Sequence, residues 1–171
     1  MNDLVKYSLR FVAIILAQTL VLTQIELGQG VQLIIYPLFI FLLPVETSII
    51  SLLISAFFLG FGIDVFSNTY GLHTSSLLIF TMLRPTILRL FSSRDGYDSL
   101  LETNVFNMGI LWFIQSFGSL LLIHHLWFFI LEEFKFNDLG YILLKTILSV
   151  PLSFLICILV QYLFVNKPSS K

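Results

Sequence analysis

Charge is what this chain has least of. Lysine and arginine number nine and aspartate and glutamate ten in 171 residues. Only 11% of the chain is therefore charged, where a soluble domain carries about 25%. So few polar side chains cannot cover a water-exposed surface. With 57% hydrophobic residues and a mean hydropathy of +0.96, the composition is that of a polytopic membrane protein in one small domain. The net charge of −1 leaves no basic patch for phosphate and excludes nucleic acid as a partner. A single cysteine, Cys157, excludes an internal disulfide framework and a cysteine-rich metal site, and reads as apolar filler. No small-x-small cleavage site follows the basic, then apolar, start "MNDLVKYSLRFVAIILAQTL", which reads as a first membrane helix. Period-two alternation is absent too, which argues against a β-barrel. GxSxG, P-loop and GxGxxG patterns are missing, so nothing points to an enzyme or to a cofactor.

What is present is a series of apolar runs. A helix crossing the hydrocarbon core needs about 20 apolar residues, and the runs predict an all-α bundle of six membrane helices filling residues 1–171. The spans expected are 7–27, ended by "GQG"; a short one from Val31, interrupted by Pro44 and Glu46; then 47–66, 72–91, 105–131 and 139–165. The tail 166–171, "NKPSSK", reads as a frayed end. Six spans place both termini on one side, and that side collects Lys6, Arg10, Arg84, Arg89, Arg94, Lys167 and Lys171. The other side has Lys135 and Lys145. The positive-inside rule makes the first side cytoplasmic.

Several polar residues inside the apolar runs invite a role. In "TMLRPTILRLFS" Arg84, Pro85 and Arg89 break a hydrophobic stretch. Pro85 removes one helical hydrogen bond and is expected to kink the helix. Arg84 reads either as a topology anchor snorkelling to the cytoplasmic exit or as the partner of a carboxylate such as Glu46. Asp64, ahead of the turn formers "SNTYG", reads either as a proton or cation site or as a cap on the next helix. His73 is expected to begin that helix facing Asp64 or its loop, and without partners it is not a metal ligand. His124 and His125 point about 100° apart on a helix and cannot share one ion well, so a hydrogen-bonded pair is expected. Gln115, in mid-membrane, is expected to bond a neighbouring helix.

Small residues supply packing faces. Ser48, Ser51, Ser55 and Gly62 fall near one line of the third helix, Ala56 and Gly60 on another face, and Ala13 and Ala17 share the same spacing on the first. Such faces let helix backbones approach closely in lipid. They serve either the bundle itself or a partner's helix.

The order of these features resembles the rod shape-determining MreD family in its Bacteroidetes form. The resemblance lies in Pro44, Gly60, Gly62, Asp64, Phe66 and Ser67, "GLH" at 71–73, "LRP" at 83–85 leading to "RDGY" at 94–97, and the "HH" and "LEEF" of the fifth span. It covers most of the chain, although the last helix adds little beyond hydrophobicity. Thr74, Ser75 and Ser76 stand where alanines are expected after "GLH". The resemblance implies a non-enzymatic scaffold of the bacterial inner membrane, in the complex that directs lateral wall synthesis. It implies MreC, a bitopic protein, as direct partner. Beyond it lie the cytoskeletal MreB, a RodA-type glycosyltransferase and a penicillin-binding transpeptidase. It further implies a six-helix plan similar to the substrate-binding subunits of energy-coupling-factor vitamin transporters.

Three functions stay open on the residues. In the scaffold, Arg84, Pro85 and Arg89 orient a helix that presents the loop 92–104, with Arg94, Asp95 and Asp98 exposed. In a transporter subunit, Ala13-x-x-x-Ala17 would dock a coupling protein while Asn68, Tyr70, His73 and Gln115 converge on a ligand. In a proton-coupled carrier, Asp64 and His73 would carry the proton, although no inverted repeat is evident.

Overall fold

The computed structural model describes residues 3–25, 27–92, 102–134 and 138–165. Arg94, Asp95, Asp98, Lys135, Lys167, Lys171 and the tail 166–171 lie outside them. The described chain is all-helical: α1 (Asp3–Leu20) with a 3-10 turn (Leu22–Gln24), α2 (Pro37–Leu42), α3 (Ile49–Ser67), α4 (Leu72–Leu90), α5 (Val105–Met108), α6 (Ile110–Glu133) and α7 (Leu139–Phe164). Four stretches are long and apolar enough to cross a membrane: Val5–Gln24, Ile49–Ser67, Ile110–Glu133 and Leu139–Phe164. This is a membrane protein. Helix α4 matches α3 in length at 19 residues but is less apolar, because its buried face carries His73, Thr74, Ser76, Thr81 and Arg84. That face is covered on both sides, since α4 lies between α3 and α6. Helix α7 packs on α6, and α1 leans on α3 from outside.

The helices start and stop for local reasons. Ser48 Oγ accepts the Ser51 N–H at 3.2 Å and caps α3. Asn68 at φ 56° and Gly71 at φ 91° turn the chain from α3 into α4, both in the left-handed region where such residues are tolerated.

Three expected spans differ from the structure. The second is not one helix. Residues 31–35 form neither helix nor strand, and only Pro37–Leu42 is helical. Pro37 has no N–H to continue a helix back through Leu33 and sits instead in the first turn of α2, where none is needed. The fifth is broken at Gly109 (φ 85°, ψ 156°), which ends α5 and starts α6. The first helix ends at Leu20, short of the expected residue 27.

The broken stretch forms the centre of the core: residues 33–43 are all buried, with Ile34, Tyr36, Leu38, Ile40 and Phe41 fully so. It runs the length of the bundle. Its start lies by α7, where a Cβ on Gly30 would sit 2.3 Å from Lys145 Cε, and its finish at Pro44 bridges Glu102. Around that far end gather the beginning of α1, the end of α4 and residues 102–108. Lys6 and Arg10 bond Glu102 at 2.5 and 3.2 Å, and Trp112 Nε1 donates to Phe91 O at 3.0 Å. At the opposite end Lys145 bridges Glu132 and Glu133 at 2.8 and 2.6 Å.

Candidate functional site

Buried backbone outside a helix or sheet needs partners for its N–H and C=O groups. In residues 32–35 side chains supply several of them. Gln18 of α1 clasps the strand-like backbone with both ends of its amide: Oε1 accepts from Ile35 N and Nε2 donates to Leu33 O, each at 2.9 Å. Ser149 Oγ accepts from Gln32 N at 3.0 Å and Ser153 Oγ from Ile34 N at 2.9 Å.

Tyr36 comes next and joins two helices. Its hydroxyl lies 2.8 Å from His124 Nε2 on α6 and 3.0 Å from His73 Nδ1 on α4. His124 Nδ1 is buried without a partner. An unpaired ring lone pair costs less than an unpaired buried N–H. The proton therefore belongs on His124 Nε2, which donates to Tyr36, and the Tyr36 O–H donates to His73. His125 turns the other way. Its Nδ1 donates to Leu121 O at 2.9 Å, and its Nε2 faces Ser153 Oγ at 3.2 Å. The two imidazoles thus serve different neighbours, and among the described residues no group of three potential ligands could hold a metal ion.

Arg84 closes the lower end. It is fully buried, which excludes snorkelling, and Glu46 is exposed and not its partner. Its Nη2 donates instead to the carbonyls of Phe41, Leu43 and Pro44, and Thr103 Oγ1 donates to Phe41 O as well. Phe41 O and Leu43 O are carbonyls at the C-terminus of the six-residue α2 that lack a helical partner, where a cation is favoured, while Pro44 O, just beyond the helix, also accepts from Thr47 N and Thr47 Oγ1. Arg84 is thus a cap from a neighbouring helix. α4 continues through Pro85, whose carbonyl accepts from the exposed Arg89 Nε at 3.3 Å.

Asp64 caps the start of α4 from the end of α3. Oδ1 accepts from Thr69 Oγ1 at 2.7 Å and His73 N at 3.0 Å, and Oδ2 from Thr74 N at 2.9 Å and Thr74 Oγ1 at 2.6 Å. Both oxygens are fully occupied by donors, which leaves none for a carried proton or cation. The threonine in place of the alanine expected at position 74 adds one of the four bonds, through its Oγ1. Gly60 lies opposite: a Cβ there would sit 2.5 Å from Thr74 Cα and 2.9 Å from Thr74 N. Glycine is what lets α3 and α4 touch backbone to backbone.

Ala56, one turn before Gly60, is buried too, but the small residues on the other faces are placed differently. Gly62 faces α1, with Ile15 Cδ1 at 3.2 Å from a built Cβ, while Ser55 is half-buried and Ser51 exposed. Ala13 is exposed and Ala17 half-buried. Of the four residues offered for a ligand, Asn68 and Tyr70 line an open groove of about 560 Å³ between α3 and α4, with Phe57, Phe61, Val65 and Leu78. His73 is buried behind it, and Gln115 is exposed on α6.

Sequence reasoning missed the polar stripe of α7. Lys145, Ser149, Ser153, Cys157 and Gln161 recur every fourth residue and are all buried. Three of them hold backbone elsewhere, since Gln161 Oε1 also accepts from Val105 N at 3.0 Å. The period was visible in "KTILSVPLSFLICILVQ". No protein family, curated protein or solved structure matches the chain in comparison with known proteins.

Proposed function

We propose that the chain is a non-enzymatic scaffold of the bacterial inner membrane, of the MreD type. It would cross the membrane six times, by α1, residues 31–43, α3, α4, α6 and α7, with both termini and the Lys6–Arg10–Glu102 cluster on the cytoplasmic side. Its direct partner is an MreC-like bitopic protein, through which it joins MreB, a RodA-type glycosyltransferase and a penicillin-binding transpeptidase.

One observation carries the reading: the residues that mark the resemblance are engaged in internal contacts. Gly60 meets Thr74, Asp64 holds the start of α4, and Arg84 holds the end of α2. A chain whose intramembrane polar groups support its own framework presents its outer faces to other proteins and lipid. A second reading, the substrate-binding subunit of an energy-coupling-factor transporter, has the groove beside Asn68 and Tyr70 in its favour.

Affinity capture of the tagged protein from gently solubilised membranes, read by mass spectrometry, tests the two. Recovery of an MreC-like bitopic protein with wall synthases is the expected result. Recovery of a membrane coupling subunit with paired ATPases would sink the scaffold and make the groove the ligand site.

A further inference from the structure

We infer that residues 31–43 become a stable membrane crossing last, when α7 docks, because the stripe on α7 completes their backbone. This order rests on the six-span reading proposed above and is independent of any partner. As a helix, these 13 residues would reach only about 20 Å, short of a hydrocarbon core of roughly 30 Å. The non-helical stretch 31–35, whose bonds alternate between α7 (32, 34) and α1 (33, 35) as in an extended chain, makes up length at up to about 3.3 Å per residue and gives up helical hydrogen bonding.

What replaces that bonding comes largely from chain made later. Gln18 precedes the segment and serves Leu33 and Ile35. Arg84 serves the carbonyls at its other end. The N–H groups of Gln32 and Ile34 have Ser149 and Ser153, which lie 117 and 119 residues further on. These two serines sit in the middle of α7, ten and fourteen residues from its start at Leu139, or about 15 and 21 Å along its axis. Neither end of that helix, where water could substitute, is near. Before α7 packs, two backbone donors would stand unpaired in hydrocarbon, a state no stable span adopts. The Ser153 hydroxyl also faces Gln32 O and His125 Nε2, so α6 and α7 reach the segment together. Gly30 sits tight against Lys145 at the top of the same stripe, and its φ of 71° favours glycine there.

The test follows burial of single thiols during synchronised synthesis of the full-length chain into membranes, using a small membrane-permeant maleimide. The native Cys157 lies on the stripe and reports docking of α7. Leu33→Cys and Ile63→Cys, each in a Cys157→Ser background, report the segment and the α3–α4 pair. The expected order is protection at position 63 first, then at 33 and 157 in one phase. Protection at 33 clearly before 157 overturns the inference. At steady state, Ser149→Ala with Ser153→Ala should raise labelling at position 33 at least tenfold with position 63 still protected, and Ser→Thr at both sites should restore protection. Unchanged labelling at 33 in the double alanine variant also overturns it. If the double variant exposes position 63 too, the order of protection in the unaltered helices decides.

Discussion

A methyl group separates tolerance from damage at two glycines of α3. At Gly60 the added carbon meets the backbone of Thr74, which cannot yield without moving α4. Gly60→Ala should cost about 1–3 kcal/mol by overpacking, seen as a fall in thermal stability in detergent. At Gly62 the obstacle is the tip of Ile15, 3.2 Å away, and a side-chain end can rotate aside. Gly62→Ala should change stability by less than about 0.5 kcal/mol, within the range of ordinary peripheral substitutions. Arg84 gives the sharper case. Arg84→Met keeps much of the volume but strands the Leu43 carbonyl and removes the charge-assisted bonds to Phe41 O and Pro44 O, a loss of roughly 3 kcal/mol. Arg84→Lys keeps the charge without the planar fork and should fall between. Equal stability of the methionine variant and the native protein would show that the guanidinium caps nothing of consequence.

At the scale of elements, the junction of α3 and α4 depends on one carboxylate. Asp64→Ala removes the acceptor for two backbone and two threonine donors and should destabilise by about 1–2 kcal/mol, the upper range for a lost helix cap. Asp64→Asn retains one acceptor oxygen and should lose less. Amide exchange at His73 and Thr74 would localise the effect, which should not spread to α7. This junction was legible in the sequence: an apolar run, turn formers, then a second run place α3 and α4 within two residues of their observed limits. Asp64 as a cap was one of the two readings on offer. The neighbouring segment was not legible. "VQLIIYPLFIFLL" is apolar throughout, and apolarity alone does not separate a helix from an extended chain buried on all sides. What decides is the supply of hydroxyls and amides from α1 and α7, and α7 is more than a hundred residues away. Arg84 stands out in the sequence as anomalous, but neither reading, a snorkelling anchor or a partner of Glu46, names the carbonyls it holds. Carboxylates stand out in a sequence as candidates for a cation, whereas unpaired carbonyls at a helix end belong to the backbone and leave no letter. Gly109 is a similar case, because a glycine in an apolar run is compatible with a continuous helix until its φ of 85° is known.

For the whole molecule, α1 is the loosest member, 17% buried over its membrane window, and Glu102 anchors its basic end. Burial pushes the Glu102 carboxyl up, but the hydrogen bond from Lys6 and the charges of Arg10 and Lys6 outweigh it and hold the group below its usual range. A carboxylate so held adds stability above its unfolded pKa, and that stability is lost as pH falls through the folded value. Thermal stability should thus decline on acidification below about pH 4, where an unfolded glutamate titrates. Glu102→Gln should flatten that decline while lowering stability at neutral pH. An unchanged acid limb in the variant would remove Glu102 as its source.

The bonds that join the two halves of the chain also bear on its covalent continuity. Ser149 and Ser153 hold residues 32 and 34, His124 holds Tyr36, and Glu102 holds Lys6 and Arg10. None of these bonds is made by the chain between Ser92 and Glu102. Two separately encoded pieces, one ending after α4 and one beginning before α5, should find each other in the membrane and co-purify as a single stoichiometric unit, a natural starting point for a split reporter.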